Sequence, residues 1–240
     1  ELINKLGRYL IPRLGEVNGR RILSVGCCGG KDIEALNNLG AEAYGMDFAY
    51  RIEQWDTEKL NPNHLFVSSS NKLPFPNDFF DIILCMGVIE HVAEQLLAEK
   101  KYNRLHIERQ KFLKELLATL KPGGIVILTS PNRNFLIDFQ HDAYGSMRIL
   151  RRFSIYVHSP FTRRLESYYS LMRHARDAKF LAEPMPLKGF FGFNAVKLSP
   201  RLALFRKFFE KYIEILDTLP RPIRYSFLNP YIVLKLTKLS

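Results

Sequence analysis

The run Asp81–Met86 (DIILCM) does most to limit what this chain can fold into. After its first residue it is apolar to the end, and turn formers bound it. A strand with one face in water alternates polar and apolar residues. A strand without alternation is covered on both faces, as in a parallel sheet flanked by helices. Arg21–Val25, Ala41–Met46, the weaker His64–Val67 and Ile125–Thr129 repeat the pattern. Helical spacing fills the gaps: Lys31–Leu39, closed by Gly40, and His91–Leu120, with a break expected near Tyr102–Asn103. An amphipathic helix is expected over Glu1–Leu14, ending near Pro12, and Lys121–Gly124 (KPGG) is expected to turn. Later come a helix at Leu171–Ala178, a strand within Leu181–Leu187, an amphipathic helix at Pro200–Leu216 and a last strand at Tyr231–Leu236. No strand is expected over Pro131–Tyr169. This alternation predicts an α/β fold, a doubly wound and mostly parallel sheet. The 240 residues suffice for one such domain, or one domain with a lid.

Charge divides the chain. Residues 1–130 hold 16 Lys and Arg against 16 Asp and Glu, whereas residues 131–240 hold 19 against 8. The whole net charge of +11 therefore sits in the second part. Such asymmetry points to an acidic partner there: a phosphate-bearing substrate, nucleic acid or an anionic membrane. Between Arg148 and Arg176 seven arginines, including Arg163, Arg164 and Arg173, face one acid, Glu166, with Phe153, Tyr156, Phe161, Tyr168 and Tyr169 interleaved. Aromatic and arginine side chains together suit bases and phosphates or an anionic membrane surface. A solvated basic cover over a small pocket reads the same way. No apolar run approaches the roughly 20 residues of a membrane span. The chain opens on Glu1 rather than methionine, which leaves upstream residues and a removed targeting segment open. Cys27, Cys28 and Cys85 lack zinc spacing, and adjacent cysteines rarely bridge, so free thiols in a reducing cytosol are expected.

The chemistry gathers after the first strand. In Ile22–Gly30 (ILSVGCCGG), glycines directly after a strand let the backbone turn tightly and approach a ligand, while the next helix aims its N-terminal amides at the same spot. Gly26 and Gly30 match the first and third glycines of a GxGxG loop, with Cys28 in the middle place. Asp47 ends the second predicted strand, 21 residues after Gly26. A carboxylate there can accept both hydroxyls of a ribose. Helix capping and a solvated turn acid are the structural alternatives.

The order continues with Leu73–Ile83 (LPFPNDFFDII), Glu90-His91-Val92 and Leu120-Lys121-Pro122-Gly123-Gly124. Taken together, GCxGG, GxD, LPFPxxxFDxI, EHV and LKPGG resemble class I methyltransferases that use S-adenosylmethionine (SAM). The nearest resemblance is to the branch that includes ubiquinone and menaquinone biosynthesis methylases. It is close over about 20–130 and looser beyond.

The resemblance implies a Rossmann-like seven-stranded sheet with helices on both faces. Six strands would be parallel and the last, Tyr231–Leu236, antiparallel, with a helical acceptor-side lid inserted over 132–178 in a single domain of 1–240. It implies SAM as cofactor. Gly26, Cys27, Cys28 and Gly30 would wrap the methionine half, Asp47 would bind the ribose and Phe48 would lie against the adenine. Ser69 or Ser70 stands where an Asp reads the adenine amine, and Cys85 with Met86 would line the methyl pocket. Three departures stand out: Ser24 for the usual acidic residue, Cys28 for glycine, and serine for the adenine-reading Asp. His91 is the candidate general base, because imidazole titrates near neutral pH; opening a helix and packing on the loop is the alternative. Some relatives bind a divalent metal through ExxEH. Gly87 replaces the first Glu here, so no metal is expected. After the fifth strand, Asp138, His141 and His158 are further candidates for acceptor contacts.

The resemblance thus implies methyl transfer, with O-methylation of a small-molecule, glycan or lipid-linked acidic acceptor as the first reading. The setting would be cytoplasmic, with peripheral contact at the inner membrane face. An RNA or tRNA methyltransferase and a degenerate SAM-binding protein are the alternatives. Against nucleic acid, Cys85-Met86-Gly87-Val88 stands in place of the NPPY-type tetrapeptide of amino-methylating enzymes.

Overall fold

A computed structural model describes residues 5–55, 59–68, 72–135, 137–138, 156–157, 165–191 and 200–239. Its centre is a seven-stranded sheet in the order β3-β2-β1-β4-β5-β9-β8. The strands are β1 (Arg21–Val25), β2 (Glu42–Asp47), β3 (Leu65–Val67), β4 (Phe80–Met86), β5 (Leu120–Pro131), β8 (Phe180–Pro184) and β9 (Tyr231–Lys238). The pairs from β3 through β5 are parallel. β9 is inserted antiparallel between β5 and β8. Six strands thus run one way and the last the other, as the resemblance implies.

Alternate residues of each strand go to opposite sides, which is the two-residue period of a strand buried on both faces. Leu23, Ile83, Cys85, Val126, Leu128 and Ile232 join one hydrophobic cluster. Ile22, Ile82, Leu84, Ile127 and Val233 join the other. α4 (Tyr102–Thr119) and α5 (Tyr168–Asp177) cover the first face through Leu105, Phe112, Leu113, Leu116, Leu171 and Ala175. The second face is closed by the π-helical turn Leu6–Leu10 with α1 (Ile11–Leu14), by α2 (Lys31–Asn38) and by α6 (Pro200–Thr218). Pro12 falls at the start of α1, where its missing N–H costs nothing. α3 (Gln95–Ala98) ends before α4 begins, so the break expected near Tyr102 is present. α7 (Arg221–Arg224) leads back towards β9.

Three expectations need correction. Lys121–Gly124 lies within β5 rather than between elements. Phe80 pairs with Leu120 and Ile82 with Ile125, so these four residues bulge opposite Asp81 alone, with Gly123 at φ +74°. The Lys121 ammonium then reaches the Asp81 carboxylate at 2.8 Å. Pro131–Tyr169 is not without strand: β6 (Ile137–Asp138) pairs antiparallel with β7 (Tyr156–Val157). And α5, inside the range expected to be lid, is a covering helix of the sheet, with Leu171, His174 and Ala175 fully buried.

Candidate functional site

Sheet order reverses between β1 and β4, since β2 and β3 extend to one side of β1 and β5 to the other side of β4. At such a switch point the loops leaving the strands diverge and open a crevice at the carboxyl edge. β1 ends there in Gly26–Gly30. Gly26 has φ +73°, Cys28 +49° and Gly30 +73°. A Cβ on Gly26 would come within 2.7 Å of Val88 Cγ2, and one on Gly30 within 2.4 Å of Leu60 Cδ1. Both glycines are thus required by backbone angle and by close packing. Cys28 bears the left-handed angle with a side chain, at a cost of about 1 kcal/mol.

β2 delivers Asp47 to the same crevice. The N–H groups of Gly26 and Cys27 donate to the Met46 carbonyl, at 2.8 and 3.3 Å. Beyond them the Cys28 N–H donates to Asp47 Oδ2 at 2.6 Å, and the Phe48 N–H to Oδ1 at 2.7 Å. The carboxylate is 7% exposed and thereby fixed against the glycine loop. Phe48, half-buried, follows directly. Ser68, whose N–H donates to the Asp47 carbonyl at 3.2 Å, brings the chain towards Ser69 and Ser70, which lie outside the described residues.

The cysteines divide. Cys28 is exposed at the loop. Cys27 contributes backbone only, because its side chain is buried in the second cluster and burial pushes its thiol pKa up. Cys85, which the resemblance places at the methyl pocket, lies near the end of β4. It is 0% exposed within the first cluster, and burial followed by the nearby Glu90 charge pushes its thiol up. Its place in β4 alternates inward to the face that α4 covers. Among the described residues none of the three cysteines is in a disulfide.

Ser24, where the resemblance leads one to expect an acid, donates its hydroxyl to buried Asp32 in the first turn of α2. A carboxylate is thus supplied to that spot from the helix, and burial pushes its pKa up despite the Ser24 bond. Sequence spacing alone could not have linked the two.

On the β4 side, Gly87 turns the chain with φ +69°, its N–H donating to the Thr129 carbonyl at 3.1 Å. A glutamate at this left-handed position would be strained. A 3₁₀ turn, Ile89–His91, follows. His91 is partly exposed and its Nδ1 lies 2.9 Å from Glu94 Oε2. Glu94 orients the ring, a role the sequence reading missed although the spacing is one turn. Glu90 is fully buried, and its carbonyl accepts from Arg109 Nη2 at 3.1 Å. The Arg109 guanidinium, itself 0% exposed, also holds Glu166. Burial alone would raise the Glu166 carboxyl; His174, Arg109 and Ser170 outweigh it and hold the pKa down at about 2. Glu166, the single acid of the basic stretch, is therefore already neutralised. Among the described residues no cluster of three metal-ligating side chains forms. Asp138 lies in β6, while His141 and His158, and the arginines from Arg148 to Arg164, lie outside the described residues.

Residues 23–128, from β1 into β5, match the family described as a methyltransferase domain. The chain is 30% identical over 139 residues to a ubiquinone biosynthesis O-methyltransferase of Coxiella burnetii, covering 56% of this chain and 53% of that protein. A protein of the same name from Bradyrhizobium diazoefficiens is 30% identical over 128 residues, covering 52% and 45%. The chain thus spans about half the length of these curated relatives. A SAM-dependent methyltransferase structure from Mesorhizobium loti aligns over 98% of both chains with a TM-score of 0.58 at 14% identity, a likeness of fold.

Proposed function

We propose that the chain binds SAM in the crevice between β1, β2 and β4 and transfers its methyl group to an oxygen of a small-molecule, glycan or lipid-linked acceptor. The observation that carries this reading is the Asp47 carboxylate fixed against Cys28 of the glycine loop at the switch point of the sheet. The donor set suits the cofactor. A carboxylate at the tip of β2 can accept ribose hydroxyls, and loop amides next to a helix start suit a carboxylate such as that of methionine. Gly26, Cys27, Cys28 and Gly30 would hold the methionine half through backbone, and Phe48 would pack on the adenine, with Ser69 or Ser70 nearby. Bound SAM would supply a methyl group on a good leaving sulfur. The protein's part is to align an acceptor with it and exclude water.

His91 would take the proton of the acceptor hydroxyl at Nε2, since Glu94 occupies the Nδ1 side. The relatives named as ubiquinone O-methyltransferases support an oxygen acceptor. The charge of +11 carried by residues 131–240 supports an acidic one. We assign the acceptor-side lid to the stretch between Asn132 and α5, and with it peripheral contact between its arginines and an anionic membrane. Several basic residues at about 1 kcal/mol each suffice for reversible attachment. Among the described residues no helix is long and apolar enough to cross a membrane. Calorimetric titration with SAM and S-adenosylhomocysteine, followed by transfer of labelled methyl to catechol-type acceptors, tests the reading. Absence of saturable SAM binding to folded protein overturns it.

A further inference from the structure

Between α4 and α5, on the sheet face away from α1 and α2, lies a cavity of about 590 Å³. Tyr102, Asn103, His106, Arg133, Ser170 and Arg173 line it. Arg133 and Glu166 stand just beyond the end of β5, so it opens at the carboxyl edge of the sheet, one layer out from the Arg109–Glu90 contact. Arg133 and Glu166 belong to the stretch assigned above to the acceptor-side lid; the residues proposed for SAM and the candidate base do not line it.

Of the two carboxylates in its wall, Glu166 is held by Arg109 and Ser170, whereas Asp177 keeps its charge, its Oδ2 accepting from the neutral Gln110 amide at 2.9 Å. The Arg173 guanidinium and the Asn103 amide form no hydrogen bond or ion pair with any described residue. His106 lies with its ring centroid 4.0 Å from that of buried His174. Burial, then His174 and Arg173, lower the His106 pKa, with Glu166 and Asp177 acting the other way. A guanidinium presents paired N–H donors that match the oxygens of a phosphate or carboxylate, and Arg173 and Asn103 present theirs, exposed, at the cavity mouth.

We propose that this cavity is a binding site for a compact oxyanion, a phosphate monoester or carboxylate, gripped by Arg173 with Asn103 and His106 beside it. The oxyanion is either free in solution or carried on an organic molecule. Tyr102 and Ile107, exposed at the rim, would cover an attached ring or chain.

The test is calorimetric titration of the full chain, at fixed ionic strength, with inorganic phosphate and with phenyl phosphate. Arg173→Ala is expected to weaken phosphate binding about tenfold or more, the share of one charge-assisted contact. Arg176→Ala, exposed on the same helix but outside the cavity wall, is expected to leave it within about twofold. Arg173→Lys, which keeps the charge and loses the fork, falls between. Tighter binding of phenyl phosphate than of phosphate assigns the site to an organic oxyanion, and equal binding assigns it to the free ion. No saturable phosphate binding, unchanged binding in Arg173→Ala, or equal losses in Arg173→Ala and Arg176→Ala overturns the proposal. None of these readouts requires SAM, so a failed cofactor titration is a separate result.

Discussion

The N–H of Cys28 points across the crevice at Asp47, 2.6 Å from Oδ2, tying the glycine loop of β1 to the tip of β2. One carboxylate therefore shapes the loop and, in the proposed function, would also take the ribose. Asp47→Ala removes both roles and is expected to weaken SAM binding roughly ten- to a hundredfold, as loss of about 1.5–3 kcal/mol implies. Calorimetry on folded variant protein checks this, and unchanged affinity would remove Asp47 from the site. Asp47→Asn keeps an acceptor for Cys28 and is expected to lose less.

Cys28 is the exposed thiol, while Cys27 and Cys85 are buried. A thiol reagent such as Ellman's is expected to modify one cysteine rapidly in native protein and all three after denaturation. Saturating S-adenosylhomocysteine should slow the rapid phase, because bound ligand would cover the loop. Labelling at an unchanged rate with ligand bound would place the ligand elsewhere.

His91 Nδ1 lies 2.9 Å from Glu94 Oε2, and the ring is the base of the proposed reaction. His91→Ala is expected to lower kcat by about 10²–10⁴ with an acceptor the enzyme turns over, while SAM affinity stays near wild type. Glu94→Gln should cause a smaller loss in kcat, since it keeps a hydrogen-bonding group beside Nδ1. Equal kcat in all three proteins would return His91 to a structural role.

Gly87 holds a left-handed angle at the place of the first carboxylate in the ExxEH pattern. Turnover is therefore expected to persist in EDTA, and added Mg²⁺ should not change it. Loss of activity in EDTA that Mg²⁺ restores would contradict this.

Arg109 and Glu166 form a buried pair joining α4 to the segment that enters α5. Glu166→Gln leaves the guanidinium buried without its counter-charge and is expected to cost about 3–5 kcal/mol in denaturant unfolding. The folded carboxyl titrates at about 2, below the ordinary 4.5. Its contribution is thus full above 4.5 and is lost as pH falls through the window towards 2. The acid-side fall in stability should be shallower in Glu166→Gln. Parallel curves for the two proteins would mean that the pair contributes nothing.

By itself the sequence determined the doubly wound sheet, because unbroken apolar runs such as DIILCM can be buried only between two layers of helices. It also determined the places of Gly26, Gly30 and Asp47, since backbone angle and strand end are local properties. What it left open were partnerships between residues far apart in the chain. Nothing local pairs Ser24 with Asp32, or Arg109 with Glu90 and Glu166; those contacts exist because α2 packs on β1, and because α4 and α5 pack side by side over the sheet. The burial of Cys85 was illegible for a related reason. A residue at a strand tip faces the crevice or the core according to the alternation of that strand, and only the packing of α4 decided which face is closed. Lys121–Gly124 reads as a turn by composition, yet ladder bonds on either side of the bulge hold it within β5. The charge asymmetry was visible in composition, but the tertiary structure showed that Glu166 is spent on Arg109 and leaves Arg173 facing a cavity, because burial forces a carboxylate to find its counter-ion inside.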